Sequence, residues 1–102
     1  MNDDRLTERL ANRVFGWKAM SDRFLTGSRG WIPRWRFRPF GEIADAFRLL
    51  DHSTDHYTLT RERTTYTVEV NVRSFRGKAI GDHLPRTITV AVARALGIEV
   101  IE

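Results

Sequence analysis

Phe37-Arg38-Pro39-Phe40-Gly41-Glu42-Ile43-Ala44-Asp45-Ala46-Phe47-Arg48-Leu49-Leu50 decides how the chain is divided. Pro39 disfavours helix at Arg38, so the preceding residues read as extended. Gly41 is an acceptable N-cap, and Glu42 then falls in a first turn, where the helix dipole favours a carboxylate. From there Ile43, Ala46, Phe47 and Leu50 form the i, i+3, i+4, i+7 stripe of an amphipathic helix, with Glu42, Asp45 and Arg48 off it. This stripe needs covering, and the spacing predicts a core built around Phe47.

Working outward, residues 3 to 19 read as a first helix. Asp3 or Asp4 caps it, and Leu6, Leu10, Val14 and Trp17 mark one face, widened by Phe15. Gly16 sits inside that pattern, where it weakens the helix by about 1 kcal/mol relative to alanine or lets something pack close. Thr26-Gly27-Ser28-Arg29-Gly30 reads as a loop. Trp31 to Arg38 alternates: Trp31, Pro33, Trp35 and Phe37 on one side, Ile32, Arg34, Arg36 and Arg38 on the other. With Pro33 in it, this predicts an edge strand.

Beyond the second helix, Asp51 to Asp55 reads as a polar turn. Tyr57 to Thr60 and Tyr66 to Val72 alternate apolar with polar across a short connection, which predicts an antiparallel hairpin with one apolar and one threonine-rich face. Ser74 to His83, with Gly77 and Gly81, reads as a loop. Thr87 to Val92 has strand-type composition. Yet Ile88, Ala91, Val92, Ala95 and Leu96 make a helical stripe, with Pro85 at its start and Gly97 just past its end, so the reading is helix from Pro85 to Leu96. Ile98 to Glu102 then form a tail or an added strand. The prediction is a single α+β domain over residues 1–102.

That size suits one domain. At 41% hydrophobic and 29% charged, the composition is that of an ordinary globular chain and not a disordered one. There is no cysteine, which excludes disulfides and thiolate chemistry. No stretch is long and apolar enough for a membrane span, and the acidic start lacks the apolar run of a signal peptide, so a cytoplasmic location is the default. Seventeen Lys and Arg against thirteen Asp and Glu give a net charge of +4, compatible with an anionic partner but too small to require one.

Three landmarks resemble the alpha-beta-alpha sandwich domain of small phage and prophage proteins. Val14-Phe15-Gly16-Trp17-Lys18 is similar to the family's Val-Met-Gly-Trp-Lys. Phe37 to Phe47 resembles Phe-Ser-Pro-Ser-Thr-Asp-Ile-Ala-x-Ala-Trp, with Phe40-Gly41 in place of the Ser-Thr pair, Glu42 for Asp and Phe47 for Trp. Pro85 to Gly97 falls where the family has a helix of the type Pro-x-Ala-Ile-Cys-x-Ala-Ala-Leu, with Ile88, Val92 and Leu96 at its apolar positions. The resemblance spans nearly the whole chain. It implies three helices packed on a small antiparallel β-sheet and a phage or prophage origin, hence the cytoplasm of a bacterial host. It brings no activity.

Candidate chemistry is sparse. Arg29, Arg34, Arg36 and Arg38 cluster with Trp31, Trp35 and Phe37; guanidinium groups bind phosphate and flat rings stack on bases. Arg34, Arg36, Arg38, Arg73, Arg76 and Lys78 are therefore the candidate nucleic-acid-binding residues. Against this, a strand with period two would put rings and charges on opposite faces. Asp51-His52-Ser53-Thr54-Asp55-His56 has metal-ligand residue types, but only distant Asp82 or His83 offers a further ligand, so a solvated turn is the reading and no metal or cofactor is expected. Ser21, Ser28, Ser53 and Ser74 lack a nucleophile-elbow context, and no phosphate loop or dinucleotide fingerprint occurs. Thr58, Thr60, Thr67, Glu69 and Asn71 line a polar sheet face open to a ligand, a partner or water. The leading expectation is an accessory binding or interaction module, not an enzyme, and the runner-up is a nucleic-acid-binding protein that uses the basic edge strand; the candidate partners are nucleic acid or a phage or host protein. A ligand-sequestering anti-defence protein is the third class.

Overall fold

The computed structural model describes residues 3–27 and 29–100. Ser28 of the predicted loop and Ile101–Glu102 of the predicted tail lie outside them. Three helices and two three-stranded antiparallel sheets make up the fold. The small sheet has β1 (Lys18–Ala19), β2 (Arg23–Leu25) and β3 (Trp31–Pro33) in the order β1-β2-β3. The large sheet has β4 (His56–Glu62), β5 (Thr65–Val72) and β6 (Phe75–Gly81) in the order β4-β5-β6. The α+β class and the three predicted helices are found.

The central element is α3 (Leu84–Ala95). It packs on β5 and β6 with one side and on α2 (Ile43–Ser53) with another. Thr87 through Ala93 are all buried, so no polar stripe survives on that stretch. A helix enclosed in this way reads as apolar all round, which is why Thr87 to Val92 also has the composition of a strand. Pro85 lies in its first turn, and Gly97 follows its end at φ +75°. Thr87 and Thr89 are tolerated inside because each hydroxyl reaches the carbonyl four residues back, and Thr89 Oγ1 shares its single proton between that carbonyl, of Pro85, and the Pro39 carbonyl, each at 2.8 Å. That last bond ties α3 to the segment leading into α2.

The deciding stretch forms its helix one residue later than predicted. Glu42, not Gly41, takes the capping position, and Asp45 accepts the Arg38 backbone N–H at 2.8 Å. The buried face is Ala46, Leu49 and Leu50. Ile43 is 41% exposed and Phe47 only half-buried, so the core is not built around Phe47. The helix also runs through the predicted polar turn as far as Ser53. Ser53 and Thr54 hydroxyls donate back to the Leu49 and Leu50 carbonyls, each at 2.6 Å, so the polar residues close the helix instead of following it.

The first helix is shorter than predicted. Regular α1 (Asp3–Leu10) widens into a π-helical turn over Ala11–Phe15 and stops at Gly16, φ +73°. Gly16 is therefore the left-handed cap of the helix and not an interior residue. The wider turn breaks the predicted face: Ala11 is buried, and Trp17 enters the core from beyond the helix. Phe15, Trp17, Phe24 and Phe37 then form an aromatic cluster that attaches the small sheet to the helices.

Two further predictions are corrected. The stretch from Ser74 to His83 is not a loop, since Phe75–Gly81 is β6. Its glycines conceal it: a Cβ on Gly77 would lie 2.1 Å from the Ala91 carbonyl oxygen, so β6 has to present a bare backbone to α3. Trp31 to Arg38 is not one edge strand either. Only Trp31–Pro33 is paired as a strand. Arg34–Arg36 is a 3₁₀ turn closed by the Phe37 N–H on the Arg34 carbonyl at 3.2 Å.

Candidate functional site

That 3₁₀ turn changes the surface. Phe37 rotates into the core, whereas Trp31 is 52% and Trp35 70% exposed. In β2 and β3 the pairs Phe24–Ile32, Arg23–Pro33 and Leu25–Trp31 are in register. Phe24 and Ile32 face the core, so Arg23 and Trp31 share the outer face. The Arg23 guanidinium lies 4.3 Å from the Trp31 ring centroid. The Arg36 guanidinium stands 6.0 Å from that of Trp35, at the limit of a cation–π contact. Each exposed ring thus has a cation near it, contrary to the separation that a regular strand would impose.

The cations differ in availability. Arg34 is held on three sides: an ion pair with Glu8, a donation from Nε to the Met20 carbonyl at 2.7 Å, and its guanidinium 5.3 Å over the Phe24 ring. It braces the turn against α1. Arg23 is bonded to the exposed carboxylate of Asp22, which those hydrogen bonds hold below the usual carboxylate range. Arg29, Arg36 and Arg38 are exposed and sit beside the two tryptophans in the chain.

Arg73, Arg76 and Lys78 belong to the other sheet. Arg76 and Lys78 alternate with Gly77 and Ala79, which face α3, so they point off the open side together with Ile80. Lys78 pairs with Glu69 at 3.6 Å. Thr58, Thr60, Thr67, Glu69 and Asn71 share this side, and α3 packs on the reverse one, so the threonine-rich face is open. Arg73 occupies the β5–β6 turn at φ +57°, its N–H bonded to the Asp55 carboxylate at 2.8 Å. The six candidate residues therefore form two separate groups: Arg34, Arg36 and Arg38 in and after the 3₁₀ turn that follows β3, and Arg73, Arg76 and Lys78 on the large sheet and its β5–β6 turn.

A cleft of about 690 Å³ opens where α2 and α3 end, between the π turn and the β5–β6 turn. Arg13, His52, Arg73 and Phe75 line it. The carbonyl ends of two helices meet here, and helix C-termini repel anions. Arg13 already donates to the Leu96 carbonyl at 3.2 Å. Ser53 is not poised as a nucleophile, since its hydroxyl bonds to Leu49. Among the described residues no three His, Asp or Glu side chains converge as a metal site. The stretch from Asp51 to His56 is divided: His52 packs 4.8 Å from the Phe15 ring, Asp55 holds Arg73, and His56 begins β4.

The fold is similar to a solved one. A crystal structure of a phage protein from Bacillus cereus ATCC 14579 superposes with a TM-score of 0.76, over 99% of this chain and 93% of that one. Sequence identity is 17%, so the shared property is the fold. No family model matches the sequence, and no curated protein matches it. No helix among the described residues is long and apolar enough to cross a membrane.

Proposed function

We propose that this chain is a small phage or prophage accessory protein that acts by binding and not by catalysis, and that it takes single-stranded nucleic acid on the Trp31–Trp35 face. One observation carries the reading: two tryptophans more than half exposed within five residues, Trp31 on β3 and Trp35 in the 3₁₀ turn that follows it, each with an arginine guanidinium against or beside its ring. Burying large aromatics is normal, so exposing two together marks a contact surface. Indole rings stack on any base, and Arg29, Arg36 and Arg38 supply charge for the backbone. No recognition helix is presented, so base identity is read weakly. The cleft is the weaker candidate, because its field disfavours the anionic ligands its arginines would otherwise select.

The test is a fluorescence titration with an oligothymidylate, since Trp31 and Trp35 report at the surface. Trp35→Ala is expected to weaken binding by about 1–3 kcal/mol, the usual range for one stacked base. Arg36→Ala combined with Arg38→Ala should reduce the salt slope by about 1.4, at roughly 0.7 per single-strand phosphate contact. Affinity weaker than about 10⁻⁴ M at low salt is ordinary non-specific attraction and would remove the proposal. Binding that survives these changes but is lost in Arg76→Ala with Lys78→Ala would move the site to the large sheet.

A further inference from the structure

The two edges of the large sheet differ. On β6 the outward carbonyl of Lys78 accepts Arg94 Nη1 at 2.9 Å, and α3 packs along the strand. On β4, which α3 does not cover, every residue but Leu59 is exposed. Seven consecutive β4 residues pair with β5 without a bulge, and β4 contains no proline, glycine or lysine. Proline, lysine and bulges are common devices that stop an edge from pairing, and the two charges β4 does carry, Arg61 and Glu62, lie beside its turn.

The hydrogen-bond directions along β4 follow from its turn. Glu62 and Thr65 flank a two-residue connection, so they form a hydrogen-bonded pair. Alternation then assigns His56, Thr58, Thr60 and Glu62 to β5, and sends the N–H and C=O groups of Tyr57, Leu59 and Arg61 to the open edge. Antiparallel pairing of this edge with itself, with Leu59 on the two-fold axis, uses all of these groups. It sets Tyr57 against Arg61, Thr58 against Thr60, and His56 against Glu62. On the helix side of the sheet, Leu59 meets its own copy and each Tyr57 ring receives a guanidinium. On the open side, each Glu62 carboxylate faces an imidazole. No like charges are opposed, and a two-fold interface requires this self-complementarity.

We propose that β4 is a dimerisation edge, through which two copies of this chain pair antiparallel about Leu59 into one continuous six-stranded sheet. The occupant is a second copy because the charge pattern of the edge complements itself in that register. This is independent of the nucleic-acid reading, which concerns the other sheet.

Sedimentation velocity over a concentration series is expected to show the parent at twice the chain mass. Tyr57→Pro removes one outward N–H while leaving the β5 pairing intact, as edge strands allow; it should give a folded monomer by circular dichroism. The chain has no cysteine, so a single introduced thiol is diagnostic. Leu59→Cys should cross-link under mild oxidation, because hydrogen-bonded antiparallel partners have Cα atoms about 5.5 Å apart, within disulfide range. Thr58→Cys, diagonal to its own copy, should not. A parent that stays at the single-chain mass throughout overturns the proposal. So does a dimer unaffected by Tyr57→Pro whose Leu59→Cys form does not cross-link, or one in which Thr58→Cys cross-links as fast as Leu59→Cys. If Tyr57→Pro fails to fold, the two cysteine variants decide.

Discussion

Gly77→Ala is expected to cost about 3 kcal/mol or more, a large share of the roughly 5–15 kcal/mol that holds a domain folded. The added Cβ would meet backbone: the Ala91 oxygen at 2.1 Å and the Ala95 nitrogen at 2.5 Å, with the Ala95 Cβ at 2.9 Å. A flexible side chain can turn away, but a helix backbone cannot. To admit the methyl group α3 has to lift off β6, and the contacts of that helix with β5 loosen with it. The matched control is Gly27→Ala, where nothing lies within 4 Å of the new carbon. Surface substitutions of that kind stay within about 0.5 kcal/mol of the parent. Urea unfolding of the three proteins measures both effects. Equal midpoints for Gly77→Ala and the parent would mean that α3 does not lie on β6, and the central packing described above would be lost.

The same glycine shows what was legible in the sequence and what was not. Some local signals were read correctly. Pro85 and Gly97 delimit α3, and the alternation from Tyr57 to Val72 gives the hairpin with its two faces. Contacts between distant elements were not legible. The sequence around Gly77 reads as a loop because the demand for a bare backbone comes from Ala91 and Ala95, which lie fourteen or more positions away. The candidate surface was misjudged for a related reason. Its arginines were visible, but four aromatic or proline residues at period two mimic a strand with a buried face. Only the 3₁₀ turn, which depends on Arg34 being braced by Glu8 and Met20, separates buried Phe37 from exposed Trp31 and Trp35. The proposed site therefore lies where local pattern and tertiary placement disagree, as functional surfaces commonly do. Arg23 is the residue the sequence reading missed there; its only signal was proximity to the Trp31 segment across a short loop.

Phe37→Ala is expected to destabilise the protein by about 3–5 kcal/mol, the range for truncating a buried aromatic. Phe47→Ala, at the position the helical stripe singled out, should cost only about 1–2 kcal/mol, in proportion to its half-buried side chain. The contrast rests on surroundings. Phe37 is 1% exposed and meets three rings edge-on: Trp17 at 5.2 Å, Phe15 at 5.7 Å and Phe24 at 6.0 Å between centroids. Each such pair contributes about 0.5–1.5 kcal/mol beyond area burial. Phe37→Leu therefore recovers the apolar volume but not the ring contacts, and should fall between parent and alanine variant. Phe24 belongs to β2 and Phe15 to the π turn, so Phe37 also joins the small sheet to the helices. Its loss should admit water to Trp17 and shift the tryptophan emission to longer wavelength before global unfolding, an effect absent from Phe47→Ala. It should also weaken oligonucleotide binding, since Trp31 and Trp35 are held by the sheet that this cluster anchors. Denaturant midpoints and emission spectra of the three variants supply the comparison. A larger loss in Phe47→Ala than in Phe37→Ala would return the centre of the core to the stripe on α2 and leave the exposed tryptophans without the support that the proposed binding surface needs.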